Sequence, residues 1–258
     1  MHKLQLVKIG GKIVDDPAKL SPFLADFAQL KGPKILVHGG GKTASITCEK
    51  RGIPVQMVDG RRITNKETLA VIREVYTHLN RSIASKLTAL SCSAQGIGGI
   101  SNPILIAKKR KHHSIDFGFV GDLSVNEVVL APLLEIIDSG LTPVFNALTQ
   151  DKNGQVLNTN ADTIASTLAQ ALATKYKVNL IFCFEKNGVL TDVEKEDSFL
   201  LELANSSYNE MVKTKQISEG MLPKLDNGYA ALNKGVYSVN IKNATQLLTQ
   251  TGTFLTHG

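Results

Sequence analysis

Apolar and polar residues follow two alternating periods along the chain. Short runs rich in Val, Ile and Leu occupy residues 4–9, 34–37, 143–148, 178–184 and 236–241, and the run at 178–184 is the most apolar of them. Such runs are typical of strands in a buried parallel sheet. Between them, apolar residues recur at helical spacing, as in residues 17–30, 43–50 and the segments that start near residues 161 and 222. This alternation predicts an α/β fold, a three-layer αβα sandwich around a central, mainly parallel open sheet.

Local signals refine this prediction at several points. A hydroxyl residue followed three positions later by glutamate predicts helix starts at Thr64, Ser124 and Ser207. The segment 96–121, glycine-rich and then alternating, predicts a β-hairpin that projects from the sheet and could act as a lid. Residues 151–154, Asp-Lys-Asn-Gly, predict a second tight turn. A change in composition near residue 172 suggests two lobes, residues 1–172 and 173–258, that share one continuous sheet.

Composition narrows the class of protein. The 258 residues are 43% apolar and 20% charged, which is typical of an ordinary globular domain and excludes disordered or collagen-like chains. The net charge of +6 suits anionic ligands. The basic run at residues 108–113 has no interleaved aromatic side chains for base stacking, so an exposed hairpin tip is expected there and no nucleic acid partner.

Cysteines and apolar stretches indicate the compartment. The three cysteines are odd in number, far apart and without a C-x-x-C spacing, so neither a disulfide framework nor a metal site is predicted. No apolar run resembles a signal peptide or approaches membrane-spanning length. A soluble cytoplasmic protein without a membrane partner is therefore expected.

The glycine turn after the second predicted strand, residues 38–41 (His-Gly-Gly-Gly), has three interpretations. An esterase oxyanion loop would need a G-x-S-x-G elbow, which the sequence lacks. A dinucleotide-binding turn is possible, because Gly39-x-Gly41-x-x-Ala44 has the required spacing and Asp59 follows. A Walker A loop is excluded, because its first glycine would fall at Leu36. A phosphate-binding turn of another kind remains.

A second glycine turn, Lys8-Ile9-Gly10-Gly11, favours this last interpretation. It lies at the carboxyl end of the first predicted strand, so two glycine turns can face one crevice. Glycine amides and helix N-termini bind anions, and a lysine ammonium can follow a phosphoryl group during transfer. The sequence therefore predicts a phosphoryl-transfer site, although a lysine that only ends a strand remains an alternative.

Five motifs in order resemble the acetylglutamate kinase family, and the resemblance covers nearly the whole chain. They are Lys8-x-Gly10-Gly11, His38-Gly39-Gly40-Gly41, Gly60-Arg61-Arg62-Ile63-Thr64, Asn158-x-Asn160-Ala161-Asp162 and Gly220-Met221-Leu222-Pro223-Lys224. The resemblance implies the amino acid kinase fold, with residues 1–172 binding an acylated amino acid and residues 173–258 binding ATP. It also implies ATP-dependent phosphorylation of the side-chain carboxylate of N-acetyl-L-glutamate, in arginine biosynthesis.

The same resemblance implies roles for individual residues. Lys8 and Lys224 would hold the transferring phosphoryl group from two sides, and Asp162 would fix both lysines. Arg62 would bind the α-carboxylate of the substrate and Asn158 its main-chain amide region. The backbone N–H groups would come from Gly10, Gly11, Gly40 and Gly41. The nucleotide would be bordered by the strand that ends at Phe184 and by Glu185, Lys186, Asn187, Gly188, Val189, Leu190, Ile217, Ser218, Glu219 and Gly220.

The resemblance also implies ATP as co-substrate with Mg²⁺ held mainly by its phosphates, and no protein metal site. Short family members are dimers, and arginine-inhibited members carry an additional N-terminal helix, so a homodimer without arginine feedback is expected. The segment 184–190 departs from the aspartate-rich turn common in relatives, which leaves the base and ribose contacts open. Pro223 is expected to keep Leu222 out of helical angles and to stiffen the segment that carries Lys224.

Several alternatives remain at the level of sequence. The basic run on the hairpin suggests that the acyl group could be succinyl, whose extra carboxylate would be attracted to it. Another acceptor of the superfamily, such as aspartate, glutamate, carbamate or uridylate, is a second alternative. From different classes come an NAD-binding oxidoreductase, built on the 39–44 turn, and a ligand sensor without catalysis.

Overall fold

The computed structural model describes residues 1–58, 60–98, 104–192, 194–217 and 220–258. Its strands are β1 (Lys3–Ile9), β2 (Lys34–His38), β3 (Met57–Val58), β4 (Arg61–Arg62), β5 (Ala94–Ile97), β6 (Lys108–Lys109), β7 (Gly121–Asp122), β8 (Thr142–Phe145), β9 (Leu148–Gln150), β10 (Val156–Asn158), β11 (Lys177–Phe184), β12 (Glu202–Ala204), β13 (Ser238–Asn243) and β14 (Thr253–Thr256). Its helices are α1 (Gly11–Val14), α2 (Pro17–Gln29), α3 (Gly41–Lys50), α4 (Lys66–Ala89), α5 (Leu130–Asp138), α6 (Ala161–Leu172), α7 (Asn205–Lys213) and α8 (Leu222–Leu232).

The main sheet has the strand order β12-β14-β13-β11-β1-β2-β8-β5. Every neighbouring pair in it is parallel except β13 with β14. Strands from both halves of the chain pair directly, because β1 lies between β2 and β11. The prediction of a central, mainly parallel open sheet is confirmed.

Helices cover both faces of this sheet, and alternate residues of β1 show how the two layers form. Leu4 and Leu6 belong to one core, which also contains Ile164 and Leu168 of α6. Val7 and Ile9 belong to the core on the opposite face, which α2 covers with four buried side chains. The three-layer αβα arrangement is therefore confirmed, and Lys8 must point to the face that carries α6, because side chains alternate along a strand.

Three small ladders stand apart from the main sheet. The 151–154 turn joins β9 to β10 as predicted, because the Asp151 carboxylate accepts hydrogen bonds from the N–H groups of Asn153 and Gln155. The predicted 96–121 hairpin is only partly right. Residues 94–97 form β5, which pairs with β8 in the main sheet, and the hairpin is the β6–β7 ladder with residues 110–120 between its strands. Residues 99–103 of the predicted hairpin lie outside the described residues.

The predicted caps were right in one case of three. Ser124 and Glu127 form a capping box, but on a 3₁₀ turn before α5. The cap of α4 is Asn65, whose side chain accepts from the Thr68 N–H, and α7 begins at Asn205, two residues before the predicted cap. The last strand is β14, not the strand predicted at residues 236–241. In the described segments, no helix is both long and apolar enough to span a membrane.

Candidate active site

The carboxyl ends of three adjacent parallel strands meet at one edge of the main sheet. Ile9 at the end of β1 pairs in register with His38 of β2 and with Cys183 of β11. Ligands of open α/β sheets bind in the crevice outside the carboxyl ends of the strands. The residues that follow these three strands are therefore the first candidates for a functional site.

Three charged side chains converge at this edge. Nζ of Lys8 lies 2.7 Å from Oδ1 of Asp162, and Nζ of Lys224 lies 3.4 Å from Oδ2 of the same carboxylate. Lys8 comes from β1, Asp162 from the first turn of α6 and Lys224 from the first turn of α8. The Asn160 side chain caps α6 by accepting from the N–H groups of Asp162 and Thr163, which fixes the start of that helix. One carboxylate therefore holds two ammonium groups that are distant in sequence.

Burial makes this cluster electrostatically strong. Lys8 is 6% exposed and Asp162 is 5% exposed. Although burial by itself disfavours the charged carboxylate, the two ammonium groups hold the pKa of Asp162 below its usual value. Burial lowers the pKa of Lys8, with Asp162 opposing this effect and Lys224 adding to it. Two cations against one anion leave net positive charge, so the cluster attracts an anion.

The first glycine turn lies directly beside this cluster. Gly11 is the first residue of α1, and N–H groups at that position have no partner within the helix. The Gly10 N–H, in contrast, donates to the Cys183 carbonyl at 2.9 Å. The prediction that Gly10 offers its N–H to a ligand is therefore wrong, because pairing between β1 and β11 already uses that group.

The second glycine turn is held by a buried polar network. Burial lowers the pKa of His38 to about 4, so its ring is neutral near pH 7. Its Nδ1–H donates to the Gly39 carbonyl at 2.7 Å, and its Nε2 accepts from the Asn80 side-chain amide at 3.0 Å. Gly40 has φ +156°, and a Cβ there would come within 3.0 Å of the Tyr76 ring. The turn thus needs glycine, and α3 begins at Gly41, whose N–H has no partner within the helix.

The larger cleft at this edge has a volume of about 380 Å³. Lys8 and Lys224 line it, together with Ile217 and Gly220. Ser218 and Glu219 lie outside the described residues. Of the predicted nucleotide-side residues after β11, those that line the cleft are Glu185, Lys186, Gly188, Val189 and Leu190.

Asn187 is the exception among these residues, because it does not line the cleft. Its side chain bonds to the Glu196 carbonyl and accepts from Asn243, so it holds the loop together. The segment 188–190 is fixed by Thr253, whose hydroxyl accepts from the Val189 N–H at 2.8 Å.

The expectation that Pro223 keeps Leu222 out of helical angles is wrong. Leu222 is the first residue of α8, where a proline at the next position removes no helical hydrogen bond.

A smaller cavity of about 90 Å³ reaches Asn160, the cap of α6, and Gly41, Arg62 and Asn158 also line it. Nη2 of Arg62 donates to the Gly41 carbonyl at 2.9 Å and to the Ser45 hydroxyl at 2.7 Å. The Asn158 amide donates to the Thr64 hydroxyl at 3.1 Å. The structure thus brings Arg62, Asn158 and Gly41 together around one cavity.

Other lining residues were not predicted. Lys12, Gln216 and Met221 line the larger cleft, and Lys12 pairs with Glu185 at 2.6 Å. Arg61 lines the smaller cavity and lies within 3.7 Å of Asp122. The sequence signal that could have identified Arg61 is its position next to Arg62 in the same motif.

Acidic side chains near the cleft do not form a metal site. Asp162 is bound by two lysines and Glu185 by Lys12. Over the described ranges, no group of three His, Cys, Asp or Glu side chains could hold a metal ion. The donors present therefore do not fit a resident metal.

Comparison with known proteins agrees with this geometry. Residues 3–243 match the family model described as the amino acid kinase family. The chain is 48% identical over 250 residues to a Cytophaga hutchinsonii protein named acetylglutamate kinase, covering 96% of this chain and 94% of the relative. It is 44% identical to the Parabacteroides distasonis protein of the same name, covering 98% and 99%.

Solved structures give the same result for the fold. A Streptococcus mutans crystal structure superposes with a TM-score of 0.78 at 25% identity, covering 99% of both chains. An N-acetylglutamate synthase from Neisseria gonorrhoeae superposes with a TM-score of 0.82 at 18% identity, covering 99% of this chain and 59% of that one. With the family model matching most of its length, this chain is a member of the amino acid kinase family.

Proposed function

We propose that this protein transfers the γ-phosphoryl group of ATP to the side-chain carboxylate of N-acetyl-L-glutamate, giving N-acetyl-L-glutamyl 5-phosphate for arginine biosynthesis. The observation that carries the proposal is the buried cluster in which Asp162 holds the ammonium groups of Lys8 and Lys224. The names of the full-length relatives support the substrate. They favour a kinase over the NAD-dependent oxidoreductase and the silent sensor.

The two cavities give the proposal its arrangement. ATP would occupy the larger cleft, bordered by residues 184–190 and 216–221, with its γ-phosphate toward Lys8 and Lys224. The acylated glutamate would occupy the smaller cavity, with its amide near Asn158 and its α-carboxylate on Nη1 of Arg62, which has no hydrogen-bond partner among the described residues. Residues 1–172 would then form the lobe that binds the acyl amino acid, and residues 173–258 the lobe that binds the nucleotide.

Chemistry at this site needs charge neutralisation and alignment more than proton transfer. The acceptor carboxylate is already ionised at neutral pH, so it attacks the γ-phosphorus directly and no general base is required. As the bond to the β,γ-bridging oxygen breaks, charge moves onto the phosphoryl oxygens and the leaving ADP. The Lys8 and Lys224 ammonium groups offset this charge from two sides, and the N–H groups of Gly11 and Gly41, at the first positions of α1 and α3, add donors.

Other parts of the proposal concern the surroundings of the reaction. Magnesium would arrive as the complex with ATP, since the phosphates of a nucleotide are its usual ligands and the described residues contain no cluster of side chains that could hold it. The three cysteines are unpaired and buried, which fits a reducing compartment such as the cytoplasm. A homodimer is proposed from the family resemblance alone.

A coupled assay of ADP release tests the proposal. The purified protein should release ADP rapidly with Mg-ATP and N-acetyl-L-glutamate, and slowly with free glutamate, aspartate, carbamate or uridylate. Mg-ADP, but not NAD, should raise the midpoint of thermal unfolding, because only a ligand of the folded state stabilises it. Stabilisation by NAD without ADP release would contradict the proposal and favour an oxidoreductase.

A further inference from the structure

Arg61 and Arg110 have no role in the proposed reaction, yet they meet beside the smaller cavity. Arg61 is on β4 and lines that cavity. Arg110 follows β6 in the basic run of the hairpin. The Nη1 atoms of Arg110 and Arg61 lie 2.8 Å and 3.7 Å from the same oxygen, Oδ1 of Asp122. Two guanidinium groups therefore share one carboxylate.

This sharing leaves positive charge unbalanced. Asp122 is 43% exposed, which weakens its field, and its 3.7 Å separation from Arg61 is too long for a hydrogen bond. Burial lowers the pKa of Arg61, and the like charge of Arg110 lowers it further against the opposing effect of Asp122. Two crowded cations with one half-exposed counter-charge are the arrangement expected of a site that binds a further anion.

Unused donors point to the same conclusion. Nη1 of Arg61, Nη1 of Arg62 and Nε of Arg110 are buried and have no hydrogen-bond partner among the residues that the structure describes. A buried charged donor without a partner costs free energy. Substrate carboxylates are the natural partners, and the single α-carboxylate of a glutamate cannot serve all three groups.

The two arginines of β4 are directed to different neighbours. Arg62 reaches Gly41 and Ser45, whereas Arg61 reaches Asp122. Successive residues of a strand point to opposite sides, so a carboxylate on Arg62 leaves Arg61 unfilled. In the proposed complex the γ-carboxylate of glutamate faces the phosphoryl group and the α-carboxylate faces Arg62. Only the acyl group remains to carry an anion to Arg61 and Arg110.

We infer that Arg61 and Arg110 form a second anion subsite, and that the preferred substrate is an N-acyl-L-glutamate whose acyl chain ends in a carboxylate. This inference rests on the proposed function and names the acyl class at the same site. The exposed Lys109, Lys111, His112 and His113 of the hairpin are not part of the subsite.

The test compares kcat/KM for four compounds: N-acetyl-, N-succinyl- and N-glutaryl-L-glutamate, and the neutral terminal amide of the succinyl compound. N-succinyl-L-glutamate and its terminal amide have nearly the same size, so the ratio of their kcat/KM values isolates the effect of the terminal charge. We expect a ratio of about tenfold or more in favour of the carboxylate, since a charge-assisted hydrogen bond to a buried guanidinium contributes that much.

Variants identify the residues responsible. Arg110→Gln should bring the ratio of kcat/KM for N-succinyl-L-glutamate to kcat/KM for its terminal amide close to one. Asp122→Asn should raise it, because it removes the carboxylate that competes with the ligand. The matched control Lys111→Gln, which removes the same charge from the same hairpin, should leave the ratio unchanged.

The possible outcomes distinguish a failure of the anion subsite from a failure of the proposed kinase function. Phosphorylation of N-acetyl-L-glutamate without preference for succinyl over its amide would overturn the inference and leave the proposed function standing. An equal loss for all compounds in Arg110→Gln, with no rise in Asp122→Asn, would also overturn it. No ADP release with any acylated glutamate would defeat the proposed function, and the inference with it.

Discussion

An Asp162→Asn variant is expected to lose about 3–5 kcal/mol of its free energy of unfolding and most of its turnover. The change keeps the size of the side chain but removes the negative charge that holds Lys8 and Lys224 at 2.7 Å and 3.4 Å. The buried ammonium of Lys8 and the partly buried ammonium of Lys224 would then repel each other without a counter-charge. Urea unfolding and steady-state kinetics of the two proteins measure both losses.

A pH profile separates this electrostatic role from simple loss of structure. Asp162 raises the pKa of Lys8 against the lowering effects of burial and Lys224. Turnover requires the Lys8 ammonium, so kcat/KM should fall as the pH rises through the Lys8 pKa, already below 10.5 in the parent protein. In Asp162→Asn this fall should move to lower pH. The control Glu74→Gln, which breaks an exposed ion pair with Arg51, should leave both stability and profile unchanged.

The second large effect is expected from Lys8→Arg. The charge is kept, but the compact ammonium beside the buried Asp162 carboxylate is replaced by a larger, planar guanidinium. We expect kcat to fall by about 100-fold or more while KM changes by about threefold at most, because the interaction develops in the transition state. The same replacement at Lys19, exposed on α2, is the matched control and should change neither constant.

Equal losses in rate and in substrate affinity would count against this role. A raised KM with unchanged kcat would show that Lys8 binds the phosphate equally in the ground state and in the transition state, and would remove it from the catalytic mechanism. The unfolding transition of the variant, measured in parallel, excludes a trivial loss of folded protein.

Much of the fold followed from periodicity because long apolar runs report burial directly. Strands β1, β2 and β11 and helices α2, α6 and α8 were predicted within a few residues of their observed bounds. Strand β14 was missed because it is short and half of its side chains are only partly buried. Apolar patterns do not mark strands of this kind.

The capping prediction failed at Thr64 because contacts with other residues use its hydroxyl group. Thr64 fits the capping pattern, but its hydroxyl donates to the Arg62 carbonyl and accepts from Asn158. Asn65 therefore caps α4 instead. The sequence could not show that residues 64 and 158 would meet, because that contact depends on the packing of β10.

The candidate site also has features that the sequence predicted and contacts that it could not predict. The glycine turns and Lys8 were predicted from their local motifs, and Asp162 and Lys224 were predicted from the family resemblance. The use of the Gly10 N–H by Cys183 and the shared contact of Arg61 and Arg110 with Asp122 were not, since each joins segments that are distant in sequence. Pairing of this kind is set by strand register and by the path of the hairpin.

A crystal structure with Mg-ADP, tetrafluoroaluminate and N-acetyl-L-glutamate tests the central claim most directly, because the planar fluoroaluminate mimics the phosphoryl group in flight. The account predicts that its fluorine atoms lie within hydrogen-bonding distance, about 3 Å, of Nζ of both Lys8 and Lys224. Both ammonium groups should keep their contact with Asp162. A fluoroaluminate bound away from either lysine, between the nucleotide and another group, would contradict it.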